Sequence, residues 1–244
     1  LKIVINIVYG LTSARFENPF RDKRNVDNIV AKRGSLFMID LKHEIQAQGY
    51  TVCHVKTDSV KIVNADEKII TFVNEYGKKY GYDFEHEATY ERLALVNEAV
   101  YIAYDGNKWT AVGSQFQHPY VYKTLFTKEP VLIEDLFESR NVTKGAQYLA
   151  FNGTEIVDEM VHIGKTGVYI PVKHDGGKLL RIDDDGKQHA VAGTKGYLWV
   201  LSDVARQRDE EYELFVDMDY YEALKTKASE AIGQYMDISV FTDV

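Results

Sequence analysis

The apolar pattern of the first 112 residues alternates between helical and strand periodicity, and this order of segments limits the fold more than any other feature. Helical spacing predicts helices at residues 2–11 and 27–48. Two short β-prone runs at 50–55 and 60–63 follow as a predicted hairpin, and a third helix covers residues 66–80. The core side of the second helix is expected to carry Ile29, Leu36, Phe37, Leu41 and Ile45.

Strand-like segments come after the third helix. Residues 83–90 look extended, and 99–104 are predicted to pair with 108–112 across Asp105-Gly106-Asn107. Helix, hairpin, helix and strand in this order match a split βαβ unit, β-α-β-β-α-β, without its first strand. We therefore predict an α+β fold whose sheet is incomplete.

From residue 113 the helix and hairpin pattern gives way to mixed segments and glycine-separated β-prone runs. The sequence therefore predicts two domains, 1–112 and 113–244. Residues 124–145 are mixed and partly helical, and 153–196 alternate glycines with short β-prone runs, which predicts a β-meander. Asp219 is expected to open a final helix. The apolar side chains on the faces of this helix are Tyr221, Leu224, Ala228, Ile232 and Tyr235.

Charge and composition restrict the possible partners. The net charge of −8 is unusual for a protein that binds a polyanion, but residues 1–35 hold seven basic side chains against three acidic ones. No apolar run is long enough for a membrane span, and the single cysteine, Cys53, is expected in the core. We expect a soluble protein of a reducing compartment.

Two short motifs carry the strongest functional signal. Lys2, Asn6 and Tyr9 of K-I-V-I-N-I-V-Y-G are spaced by four and three residues, which places them on one face of a helix. Thr57-Asp58-Ser59 follows about fifty residues later, in the predicted hairpin turn. Each motif alone is common, but the two together on these elements are far more specific.

With these motifs the chain resembles the family B (polymerase-alpha-like) DNA polymerases, and phage members in particular. Their fingers-to-palm helix carries Lys-x-x-x-Asn-Ser-x-Tyr-Gly, and their palm hairpin carries Asp-Thr-Asp-Ser. The resemblance covers residues 1–112. It departs at Ile7, where the family has Ser, and at Lys56, where the first Asp belongs. A Lys-Lys-Arg-Tyr run of many members retains only Tyr101 in this chain.

The resemblance implies a palm with the end of the fingers helix at 1–112 and a thumb-like region at 113–244. It implies template-directed nucleotidyl transfer with two Mg²⁺ ions, deoxynucleoside triphosphates and a DNA primer-template, in the cytoplasm of a bacterial or phage-infected cell. Asp58 would be the principal metal ligand, and Glu87 aligns with an acid often found near the metals. Gly10 and Tyr101 would contact DNA.

The physical chemistry of the motif residues favours the same roles. Two-metal nucleotidyl transfer needs carboxylates that converge from rigid strands, and Asp58 is such a ligand. Lys2 can hold phosphate oxygens, Asn6 can hydrogen-bond the nucleotide, and Tyr9 can lie against a base pair. The simpler interpretation is that Lys2 is solvated and Tyr9 belongs to the core.

Other candidate residues are weaker. His54 and His86 flank acids, but lone histidines are poor evidence for zinc, and strand packing is the better interpretation. Lys195 and Tyr197 could contact a phosphate backbone from an exposed turn, although a structural hairpin with Trp199 in a core is favoured.

Parts of the family pattern are missing from this sequence. In the family, an Asp-x-x-Ser-Leu-Tyr-Pro-Ser motif on the first palm strand carries the other catalytic Asp, and an exonuclease domain precedes that strand. This sequence contains neither. We therefore expect a C-terminal fragment that is inactive without the upstream N-terminal half of the polymerase. Two alternatives stay open: a non-catalytic nucleic-acid-binding module or accessory subunit, favoured by Lys56 and Ile7, and an acidic scaffold or interaction domain, favoured by the net charge.

Overall fold

A computed structural model describes residues 2–151, 156–174, 176–191, 197–199 and 216–243. The chain forms two compact units, Leu1–Thr89 and Tyr90–Val244. The strands that precede residue 112 share a core with the C-terminal helices, and the domain boundary at residue 112 stays a prediction. Within the described ranges, no helix has both the length and the apolar character needed to span a bilayer.

The first unit contains four helices and one hairpin among its described residues. In chain order they are α1 (Lys2–Thr12), α2 (Lys23–Val26), α3 (Ile29–Ala47), β1 (Val52–Val55), β2 (Val60–Ile62) and α4 (Glu67–Lys79). The helices and the hairpin that the sequence predicts are confirmed. Gly49 has φ of +90°, which a glycine tolerates, and it ends α3 as expected.

The core of the first unit lies between α3, α4 and the hairpin. Its buried side chains are Met38, Leu41, Ile45, Ile69 and Val73. Ile29 and Leu36 of α3 are exposed, so the prediction that they face the core is wrong. The buried stripe runs through Met38, Leu41 and Ile45 at helical spacing, and Leu36 lies two residues before it, on the other side of the helix.

The strand register of β1 corrects a second prediction. Val52, His54 and Val55 pair with Ile62, Lys61 and Val60, with an irregularity between Val52 and His54. This register buries His54 and leaves Cys53 exposed, so the expected core position of Cys53 is wrong. The packing role expected for His54 is confirmed.

The second unit is built on three antiparallel strands followed by two further sheets. Its strands are β3 (Arg92–Asn97), β4 (Val100–Tyr104), β5 (Trp109–Val112), β6 (Glu138–Asn141), β7 (Ala146–Ala150), β8 (Val161–Gly164), β9 (Thr166–Pro171), β10 (Lys178–Ile182), β11 (Gln188–Ala190) and β12 (Tyr197–Trp199). Its helices are α5 (Ser114–Gln117), α6 (Pro119–Tyr122), α7 (Met218–Gly233) and α8 (Ile238–Thr242). The described elements also include a π-helical turn at Lys123–Thr127 and 3₁₀ turns at Ile133–Leu136 and Val157–Glu159.

Strand pairing differs from the predicted meander. The runs in 153–196 do form strands, but they are divided between two sheets, with the orders β11-β10-β7-β8 and β12-β9-β6. Consecutive strands of a meander would pair in sequence order, whereas β9 pairs with β6 and β12. Residues 83–90 form no strand, and β3 begins only at Arg92.

The hairpin and the later strands belong to separate sheets. The first is the two-stranded sheet β1-β2, and the second is the three-stranded sheet β3-β4-β5. In a split βαβ unit the first strand is central, so without it the hairpin and the final strand are not joined. The α+β fold is confirmed, and the palm assignment stays a prediction.

Helix α7 closes the core of the second unit. It begins at Met218, capped by Asp217 rather than Asp219, and buries Tyr221, Ala228 and Ile232. Tyr235, predicted on a helix face, lies beyond the last turn and is exposed. The β3-β4-β5 sheet contributes Ile102 and Trp109 to the same core as Ala228 and Ile232.

Candidate functional site

Asp58 lies in the turn between β1 and β2, where the sequence predicts it. The Lys56 backbone N–H donates to the Ser59 carbonyl at 2.9 Å and closes this turn. The side chains of Lys56, Thr57 and Asp58 are exposed. The turn therefore presents a carboxylate and an ammonium group to solvent, on a short and well-defined hairpin.

Two contacts fix the hairpin against its helices. The strands pack on the core of the first unit through Val52, Val55, Val60 and Ile62. The Tyr50 hydroxyl, just before β1, donates to the Asp66 carboxylate at 2.8 Å, and the same carboxylate caps α4 by accepting from the Ile69 N–H at 3.0 Å. These bonds hold the pKa of Asp66 below its usual value, the backbone bond first and the Tyr50 bond second.

Helix α1 carries the second motif. Asn6 and Tyr9 are exposed, while the side chain of Lys2 lies outside the described part of the chain. A Cβ built on Gly10 would meet no atom within 4 Å, so a ligand can approach this backbone. Thr12 anchors the end of the helix, because its hydroxyl accepts from the Asn25 amide at 2.6 Å and its carbonyl accepts from the Asp22 N–H at 3.0 Å.

The motif residues do not form a metal centre by themselves. Over the described ranges, no group of three or more His, Cys, Asp or Glu side chains converges to hold a metal ion. Two Mg²⁺ ions require several converging oxygen ligands. Asp58 can supply one of them, so the described residues do not by themselves fit a complete two-metal site.

Glu87 and His86 lie in the segment between α4 and β3 that has no regular structure. Both are exposed, and the His86 ring nitrogen Nε2 lies 3.1 Å from the Thr89 hydroxyl. Strand packing, which the sequence favoured for His86, is therefore wrong. The role of Glu87 near a metal stays a prediction.

The remaining sequence candidates lie in the second unit. Tyr101 is half-buried on β4, opposite Leu95 and Val112. The predictions for Lys195 and for the side chains of Tyr197 and Trp199 fall outside the described residues.

A polar pocket in the second unit was not foreseen from the sequence. It has a volume of about 410 Å³, and its polar lining includes Ser114, His118, Glu138, Ser139, Arg140 and Lys227. We call it the Glu138 pocket. The Glu138 side chain is only 8 % exposed, although it is a carboxylate. The Tyr220 hydroxyl donates to one of its oxygens, and the Arg140 guanidinium forms an ion pair with the other.

His118 forms another wall of the Glu138 pocket. Its Nδ1 accepts from the Tyr120 N–H at 3.3 Å, which assigns the proton of the neutral ring to Nε2. Nε2 is buried and has no hydrogen-bond partner among the described residues, since the nearest Glu138 oxygen is 3.9 Å away. Burial lowers the pKa of His118, against the opposing effects of Glu138 and Asp135.

No sequence signal identifies this pocket. Its polar residues come from α5, the start of α6, β6 and α7, and they are far apart along the chain. Only the folding of the second unit brings Glu138 to Tyr220.

Comparison with known proteins gives a limited structural likeness. No protein-family model matches the chain, and no curated protein matches it. Among solved structures the chain is similar to the family B DNA polymerase from the hyperthermophilic archaeon Pyrobaculum calidifontis, with a TM-score of 0.49 and 14% sequence identity. The match covers 96% of this chain and 33% of that chain, so this chain spans about a third of the length of that polymerase.

Proposed function

We propose that this chain is the C-terminal part of a phage-type family B DNA polymerase, in which Asp58 is a carboxylate ligand of the catalytic Mg²⁺ ions. The observation that carries the proposal is the exposed Asp58 at the tip of a hairpin packed on two helices. A metal ligand must be accessible, and it must come from a rigid element. The T-D-S turn meets both conditions, and it follows the K-x-x-x-N-x-x-Y-G helix at the family's spacing.

Helix α1 supplies the proposed nucleotide-binding residues. Asn6 and Tyr9 are exposed, and their three-residue spacing keeps them on one side of the helix. Lys2 would neutralise phosphate charge, Asn6 would hydrogen-bond the nucleotide, and Tyr9 would lie against the nascent base pair. The open backbone at Gly10 allows a close approach of DNA.

The proposed activity requires carboxylates from outside this chain. In a complete site, Mg²⁺ ions would neutralise the charge of the triphosphate and lower the pKa of the primer 3′-hydroxyl. Asp58 would contribute one ligand, and Glu87 is a candidate for a second. The upstream N-terminal half of the polymerase would supply the strand and the carboxylate that the split βαβ order lacks.

Primer extension tests the proposal. The assay uses a labelled primer-template, deoxynucleoside triphosphates and Mg²⁺, first with this chain and then with a product lengthened by the coding sequence upstream of Leu1. We expect extension only from the longer product. Asp58→Asn in the longer product should reduce extension by at least about a thousandfold, because it keeps the size of the side chain and removes the charge that holds the metal.

Asp40→Asn is the matched control. Asp40 is an exposed carboxylate of α3 in the same unit, so this substitution makes the same change of charge away from the hairpin. It should leave extension within about twofold of the unsubstituted protein. Near-normal turnover by Asp58→Asn, or robust extension by this chain alone, would overturn the assignment of the carboxylates.

A non-catalytic nucleic-acid-binding module is the second candidate function. Two observations favour it: Lys56 beside Asp58, and the lack of a metal-holding cluster among the described residues. In that case the chain binds primer-template DNA, Lys56→Ala weakens the binding, and no lengthened product extends a primer. Extension that depends on Asp58 excludes this candidate.

A further inference from the structure

We infer that the Glu138 pocket binds the phosphate group of a nucleotide. The pocket belongs to the second unit, so this inference does not depend on the proposed role of Asp58. Its size falls within the range of small-molecule sites, about 300–1,000 Å³, and leaves room for more than a phosphate group alone. Phe137 and Leu224 add an apolar wall, which suits a ribose or a base.

The charge of the pocket favours an anion. Arg140 and Lys227 are cationic, Glu138 is the one carboxylate of the described lining, and burial favours the neutral form of His118. Glu138 and Arg140 neutralise each other in an ion pair, so Lys227 is the charge of the described lining that is left to attract an anion. Lys227 is exposed on α7 and lines the pocket, so its ammonium can reach a ligand from solvent.

The hydrogen-bonding groups favour the same ligand. The proton on Nε2 of His118 has no acceptor among the described residues, and a buried donor without a partner is unfavourable. Ser114 and Ser139 line the pocket from other elements. A tetrahedral phosphate accepts hydrogen bonds from several directions, which suits polar groups that come from several elements.

The described side chains that line the Glu138 pocket do not suit a bound cation. Glu138 is its single carboxylate within the described lining, and the neutral form of His118 presents a proton rather than a lone pair at Nε2. A divalent metal needs deprotonated or oxygen ligands, and more of them.

Titration of the full chain tests the inference. The probes are inorganic phosphate, deoxyadenosine monophosphate and a ten-nucleotide oligothymidylate, each followed by calorimetry and by the ¹⁵N signals of the histidine rings. The His118 signal is assigned from its loss in His118→Gln. We expect saturable binding that shifts this signal, with the mononucleotide or the oligonucleotide tighter than phosphate. Tighter binding of the mononucleotide would identify a free nucleotide as the ligand, and tighter binding of the oligonucleotide would identify a nucleotide within a strand.

Lys227→Met and Lys225→Met form a matched pair. Both lysines lie on α7, but only Lys227 lines the pocket, and Lys225 pairs with Glu222. Lys227→Met should weaken binding at least about tenfold, as expected for the loss of a charge-assisted hydrogen bond, and Lys225→Met should stay within about twofold. Ser139→Ala, at an exposed position of β6, gives a second reading if Lys227→Met does not fold.

Three other outcomes of these titrations would overturn the inference. Absence of binding by all three probes at millimolar concentration, or binding that neither Lys227→Met nor Ser139→Ala weakens, overturns the inference. A shift of the His118 signal by Zn²⁺ alone, with no response to phosphate, identifies a cation site instead. Asp40→Asn should leave mononucleotide binding unchanged. Primer extension tests Asp58 in a separate assay, so failure here is separate from failure of the polymerase proposal.

Discussion

Helix α1 of the first compact unit and helix α7 of the second differ in how far their apolar side chains are buried. Helix α1 of the first unit exposes Ile3, Val4, Ile5, Ile7 and Val8 to between 54 and 75 %. Helix α7 of the second unit buries Tyr221, Ala228 and Ile232 almost completely. Both helices are rich in apolar residues, so an apolar sequence does not by itself establish a core helix. The hydrogen bonds around Thr12 hold the end of α1, whereas packing holds α7.

Truncation of one isoleucine in each unit tests this difference and has the largest expected effect. Ile232→Ala leaves a cavity beside Phe116 and Phe126 in the second unit and should lower the free energy of unfolding by about 2–5 kcal/mol. Ile5→Ala removes exposed surface from α1 and should change it by less than about 0.5 kcal/mol. Urea unfolding measures both, with circular dichroism as the signal. Equal losses would show that α1 is covered in solution.

A glycine in each unit sharpens the comparison. Gly145 has φ of +68°, and a Cβ there would lie 1.8 Å from the Ile182 carbonyl oxygen. Gly145→Ala should therefore cost about 2–4 kcal/mol, from backbone displacement and from the left-handed conformation together. Gly10→Ala in α1 meets no atom and should stabilise the helix by about 0.5–1 kcal/mol. Thermal unfolding of both variants checks the sign of each change.

The second unit should lose stability in mild acid because of His118. Its pKa in the folded chain is below the ordinary value of about 6.5, so the unfolded chain takes up the proton first. The stabilisation is therefore fully present above a pH of about 6.5, and it is lost as the pH falls from there towards the lower pKa of the folded chain. Trp109, buried against Phe126 and Phe241, reports on this unit through its fluorescence. His118→Gln should reduce the loss between pH 7 and pH 5; an unchanged loss would assign it to another group.

The contribution of Asp66 to the stability of the first unit should be lost at lower pH, and this effect is the smallest of the four. The pKa of Asp66 is lowered in the folded chain, so its stabilisation is present above about 3.9 and is lost as the pH falls further. Asp66→Asn keeps a capping side chain and should reduce the loss of stability as the pH falls, whereas Asp66→Ala removes the cap at every pH. Hydrogen exchange of the α4 backbone amides follows this helix directly. Acid sensitivity of Asp66→Asn equal to that of the unsubstituted chain would contradict the role of this carboxyl.

Elements set by neighbouring residues were predictable from the sequence. Helices α1, α3, α4 and α7 and the β1-β2 hairpin all follow from local periodicity, capping residues and glycine positions. Their ends differ by one or two residues, as with the Asp217 cap of α7. The exposed turn position of Asp58 was predictable for the same reason, since a short hairpin places its central residues at the tip.

Contacts between distant residues were not predictable in this way. The β-prone runs after residue 150 gave strands, but their alternation says nothing about which strand lies beside β9. Helical spacing in α1 also did not show that the apolar side chains of this helix would be exposed. Burial depends on what the rest of the chain brings to a surface, and this information is spread over the whole sequence.

The sequence by itself determined the local elements of this protein and the K-x-x-x-N-x-x-Y-G and T-D-S motifs, because helical and hairpin geometry depend on residues a few positions apart. The tertiary structure alone decided which side chains are buried and which polar groups meet. Glu138, Tyr220 and His118 come from different elements, and their interactions exist only after the second unit has closed around them. A buried carboxylate must be paired when it leaves water, and the partners that satisfy it are chosen by packing rather than by position in the chain.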